Sequence, residues 1–68
     1  MKDLGQKLKD LRLEKGLTQA EVSKKLGLTR TAIANYELGI REPSLEILKK
    51  ICKFFEVSSD FLLGLEKE

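Results

Sequence analysis

A chain of 68 residues, 41% hydrophobic and 35% charged, has the composition of one small globular domain, neither disordered nor membrane-spanning. It holds no His and one Cys, which excludes Cys/His zinc sites, Ser-His-Asp triads, Cys-His dyads and an internal disulfide. Three Phe, one Tyr and no Trp leave little material for a deep pocket, so an enzyme is not expected, nor a metal, a cofactor or a small-molecule ligand.

The elements follow from caps, glycines and apolar spacing. Asp3 with Gln6 predicts a cap on a first helix, about 3–15, with Leu4, Leu8 and Leu11 inward and Gly16 at its end. Thr18-Gln19-Ala20-Glu21 has the capping-box form and opens a second helix, about 18–26, with Val22 and Leu26 inward and Gly27 closing it. Thr29 caps a third, about 29–38, with Ile33 and Tyr36 on its buried side and Gly39 after it. Past Pro43, Ser44 caps a fourth, about 44–55, whose apolar face is Leu45, Leu48, Ile51, Cys52 and Phe55. Ser58 caps a short fifth, about 58–63, bearing Phe61 and Leu62 and ended by Gly64. No stretch alternates with period two, so the expected fold class is all-α: one domain, 1–68, of five helices. Cys52 lies within the apolar stripe and reads as a core filler.

The charge is unevenly placed. Residues 1–41 hold nine Lys/Arg against five Asp/Glu, and residues 42–68 hold four against six. A basic front and an acidic back fit a one-sided anion-binding surface, although an imbalance of this size is common. The chain opens on Met1-Lys2-Asp3 without the apolar region of a secretory signal. The late run Phe61-Leu62-Leu63-Gly64-Leu65 is too short to span a bilayer, so a cytoplasmic location is expected.

The third helix presents Arg30, Thr31, Ala34 and Asn35 to solvent. Arg donates two hydrogen bonds to guanine and Asn pairs bidentately with adenine, so this face has the chemistry of base-edge readout. An ordinary solvated surface is the competing reading. Small Ser23 lets the second and third helices cross closely, and Gly27 supplies the positive φ of a tight turn between them.

From Leu4 to Gly64 the chain resembles the helix-turn-helix family of Cro and the phage repressors, also called the xenobiotic response element family. The resemblance is carried by Gly16-Leu17-Thr18-Gln19-Ala20-Glu21, Gly27, Ile33, Tyr36-Glu37, Gly39, Arg41, Pro43 and Val57 to Gly64. Ser23 departs from it, the family usually having Ala there. The resemblance implies a lambda-repressor-like domain that binds double-stranded DNA with its third helix in the major groove, as a transcriptional regulator, in the main a repressor, of a bacterium or phage. It implies base contacts from Thr29, Arg30, Thr31 and Asn35, and phosphate contacts from Gln19, Tyr36, Gly39 and Arg41. Thr29 also reads as a helix cap and Tyr36 chiefly as core. Lys25 is assigned as a phosphate neighbour, its alternative being a solubilising charge like Lys24. Arg12 and Glu37 read as independent surface charges or, as the resemblance implies, as an ion pair between the first helix and the end of the third.

One recognition helix reads too few base pairs to address a genome, so a homodimer on an inverted-repeat operator is expected. The fifth helix is too short to bury all its apolar residues, which places the dimer surface at Phe61, Leu62 and Leu65. An antitoxin or other protein-interaction module on the same fold is the alternative function.

Overall fold

Leu4, Leu8 and Arg12, four residues apart, fall on one side of α1 (Leu4–Glu14), and all three are buried. The structure, a computed structural model describing residues 3–65, continues with α2 (Gln19–Lys25), α3 (Ala32–Leu38), α4 (Leu45–Phe55) and α5 (Ser59–Leu63). Among the described residues there is no strand. α1 packs on α3 and α5, α2 on α3, and α4 on α5. Val22, Leu26, Ile33, Tyr36, Leu48, Ile51, Phe55 and Leu62 join Leu4 and Leu8 in one core.

Three helices open as their side chains dictate. The Thr18 hydroxyl accepts the Glu21 N–H at 3.1 Å while the Glu21 carboxylate accepts the Thr18 N–H at 2.9 Å. Ser44 and Ser58 accept the N–H groups of Ile47 and Phe61. The Thr18 bonds, backbone first and hydroxyl second, hold the Glu21 carboxyl below its ordinary value near 4.5. A depressed folded value stabilises the fold above the unfolded pKa and loses that contribution as pH falls through the folded one. The melting temperature is therefore expected to drop below about pH 5, and Glu21→Gln to flatten part of that drop in a pH series of thermal melts.

The other two openings correct the sequence reading. Asp3 sits at φ 64° and its side chain caps nothing, because the left-handed backbone turns it away from the first amides of α1. Gln6 donates instead to Asp10 Oδ1 at 2.8 Å. α3 begins at Ala32, not near Thr29: residues 29–31 form a turn in which the Thr29 carbonyl accepts the Ala32 N–H, and Thr31 caps α3 without a side-chain bond. The early donor is satisfied from another helix, the fully buried Ser23 hydroxyl of α2 accepting the Ile33 N–H at 3.3 Å. Small Ser23 thus fastens α2 to α3.

All five helices close with the same pair of reversed bonds, the longer running from Leu17, Leu28, Ile40, Val57 and Leu65 back to the carbonyls of Arg12, Ser23, Asn35, Cys52 and Asp60. This closure needs one left-handed residue, which glycine supplies everywhere except after α4, where Glu56 holds φ 57°. Glu56→Gly is expected to stabilise the domain by about 1 kcal/mol, since an L side chain is strained there. Chemical denaturation checks this, and an unchanged or lower midpoint would contradict it.

Candidate nucleic-acid interface

The orientation of α3 is set by a buried polar network at its C-terminal end. Arg12 Nε and Nη2 reach the two Glu37 carboxylate oxygens at 2.7 and 3.1 Å, and Nη1 donates to the Leu17 carbonyl at 2.9 Å. The two side chains are 10% and 4% exposed. This is the bidentate geometry that a guanidinium favours. The bond to Glu37 is the largest influence on the Arg12 pKa and raises it against the opposing effect of burial. Gln19 Nε2 joins at 2.9 Å from Glu37 Oε1, so α1, α2 and α3 meet on one carboxylate.

Along α3, from the turn before it to the loop after it, Thr29, Thr31, Asn35, Tyr36 and Arg41 line one shallow hollow of about 300 Å³, with Leu28 and Ile47 also in its lining. Arg30 stands exposed on the turn between the two threonines. The Asn35 carbonyl accepts the Ile40 N–H at 3.0 Å and the Arg41 N–H at 3.4 Å, which fixes the loop after α3 to the helix itself. The hollow therefore gathers hydroxyls, an amide and the Arg41 guanidinium, with Arg30 exposed on the adjoining turn, a donor-rich set suited to base edges and phosphates.

The remaining assigned residues lie elsewhere or are only partly accessible. Asn35 is half-buried rather than fully exposed, and Tyr36 is a core residue, 8% exposed. Gln19 is half-buried in the Arg12–Glu37 network. Gly39 lines an adjoining hollow with Tyr36 and Arg41. Lys25 lines a separate hollow with Lys50 and Lys53. At the C-terminal end Leu62 is fully buried, which removes it from the expected dimer surface, because α5 turns that face onto the core. Phe61 is half-buried with Lys7 Nζ 5.6 Å from its ring centroid, and Leu65 remains 64% exposed. Sequence reasoning missed Gly5, whose place on α1 meets the backbone of Tyr36 and Glu37. A glycine inside an apolar helical repeat was the available signal.

Two short helices joined by a tight glycine turn, the second displaying this polar surface, define a helix-turn-helix domain. The chain belongs to the helix-turn-helix family, whose model matches residues 8–62. It is 43% identical to the HTH-type transcriptional activator BcrR of Enterococcus faecalis over 96% of this chain and 32% of that one. It is 39% identical to the cryptic phage CTXphi transcriptional repressor RstR of Vibrio cholerae over 75% of this chain and 46% of that one. The chain thus spans less than half the length of either relative. Among solved structures, it is similar to the N-terminal DNA-binding domain of SinR from Bacillus subtilis, with a TM-score of 0.83, 30% identity and 97% of each chain covered. Among the described residues no helix is long and apolar enough to cross a membrane.

Proposed function

We propose that this domain binds double-stranded DNA sequence-specifically, with α3 in the major groove, and acts as a cytoplasmic transcriptional repressor by occupying its operator. The observation that carries the reading is the surface shared by Thr29, Thr31, Asn35 and Arg41, with Arg30 exposed beside it. Arg30, Thr31, Asn35 and Thr29 take the base edges; Gln19, the Tyr36 hydroxyl, the Gly39 backbone and Arg41 take phosphates. The likeness to the SinR DNA-binding domain and the naming of RstR as a repressor support it. Repression asks only that the operator overlap a promoter.

The domain works as a homodimer whose surface includes the exposed Leu65 and the accessible edge of Phe61. Two-fold symmetry then requires an inverted repeat with half-sites roughly 34 Å apart.

Selection from random duplexes, followed by a salt titration on the winning site, tests the reading. Each domain is expected to contribute a log–log slope of roughly −3 to −4.5. Arg30→Ala is expected to cost about 1–3 kcal/mol of discrimination at one base pair, whereas Arg41→Ala weakens all sequences alike. Binding that ignores salt, or an Arg30→Ala protein as selective as the parent, would overturn the assignment. Sedimentation with the selected site distinguishes a dimer from a single copy.

A further inference from the structure

Beyond the Gly27 turn, α2 and α4 leave a second open hollow of about 560 Å³, lined by Lys25, Leu26, Gly27, Lys50, Lys53 and Phe54. Its floor is apolar, formed by buried Leu26 and half-buried Phe54. Its rim is basic: Lys25, Lys50 and Lys53 are all exposed and form no ion pair with a described residue. A further ammonium, that of Lys15, stands 5.9 Å from the Phe54 ring centroid. Glu21 is within electrostatic reach of Lys25, but its carboxylate already accepts the Thr18 N–H. The rim also runs against the local composition, since Lys50 and Lys53 belong to the acidic half of the chain.

We propose that this hollow is a docking site for an acidic segment of a partner protein. One large apolar side chain of that segment sits on Leu26 and Phe54, and Asp or Glu residues beside it pair with Lys25, Lys50 and Lys53. Charge complementarity selects the acidic partner, and the apolar floor selects a peptide over a nucleic acid, whose phosphate backbone has nothing to bury there. The hollow shares only Gly27 with the one lined by Thr29, Thr31, Asn35, Tyr36 and Arg41, so a docked segment leaves the α3 surface open.

A displayed library of random peptides, selected on the protein after subtraction on Lys50→Glu/Lys53→Glu, tests the proposal. Both lysines are exposed, and circular dichroism verifies that the variant folds. The enriched peptides are expected to carry Phe, Leu or Trp flanked by Asp or Glu. One of them, made synthetically, is expected to shift the backbone amide resonances of Lys25, Gly27, Lys50, Lys53 and Phe54. Its binding should weaken by about tenfold or more in the charge-reversal variant, and by less in the milder Lys50→Gln/Lys53→Gln protein. No enrichment, enrichment of neutral or basic peptides, or shifts centred on α3 would each overturn it. So would a random-sequence duplex that moves the same amides and is weakened by the same reversal, which makes the rim a nucleic-acid flank.

Discussion

Replacing Arg12 by alanine is expected to remove about 3–5 kcal/mol of stability, the range for breaking one side of a buried ion pair. A domain of this length holds only about 3–10 kcal/mol in total, so the variant is expected to be largely unfolded at moderate temperature. The loss comes less from the attraction itself than from what stays behind. Glu37 keeps a 4% exposed side chain whose main partner is gone, and the Leu17 carbonyl loses the Nη1 donor at 2.9 Å. Removing both charges is a different experiment. Arg12→Met with Glu37→Leu leaves no buried ion and is expected to recover most of the lost stability. That pair of substitutions also frees Gln19 from its anchor, which separates the fold's need for the network from any need of the binding surface. Urea denaturation of the single and double variants gives the coupling directly. A loss below about 1 kcal/mol for Arg12→Ala would place the pair with ordinary surface ion pairs.

Elements whose determinants are local were legible in the residue order. α2, α4 and α5 open on Thr18, Ser44 and Ser58 as expected, because each cap bonds an amide three residues on. α3 was misplaced at its start because its early donor is met by Ser23, ten residues upstream and on another helix. Spacing suggested Leu11 as the third inward residue of α1, yet Arg12 takes the buried position and Leu11 only a partly buried one. A charged side chain in that place is read as inward only when its partner Glu37 is known. The polar face of α3 was legible from its residue types, but Asn35's partial burial and Gln19's bond to Glu37 depend on tertiary packing. Leu62 shows the same limit, since an apolar residue on a short helix does not declare which side the core will take.

Gly5→Ala is the second large effect, and two physical terms compete in it. In an isolated helix, alanine gains about 1 kcal/mol over glycine. Here the added methyl carbon would stand 2.3 Å from the Glu37 carbonyl oxygen and 2.9 Å from that of Tyr36. Both are backbone atoms, so no side-chain rotation relieves the contact, and α1 must move away from the end of α3. Forcing extra atoms into a packed site costs typically 1–3 kcal/mol, and more where backbone must shift. The clash wins: with the backbone shift at about 3–4 kcal/mol against about 1 kcal/mol of helix propensity, a net loss of about 2–3 kcal/mol is expected, lowering the melting temperature by roughly 10–20 °C. The displaced segment carries Glu37, so the movement also stretches the Arg12 bonds at 2.7 and 3.1 Å. Gly5→Ala is therefore expected to cost less in the Arg12→Met/Glu37→Leu background than in the parent, because the network it strains is already absent. Equal costs in the two backgrounds would show that the close approach at Gly5 and the ion pair act independently. A melting temperature raised by Gly5→Ala would mean that helix propensity outweighs the contact and that α1 and α3 are less closely apposed than 2.3 Å implies.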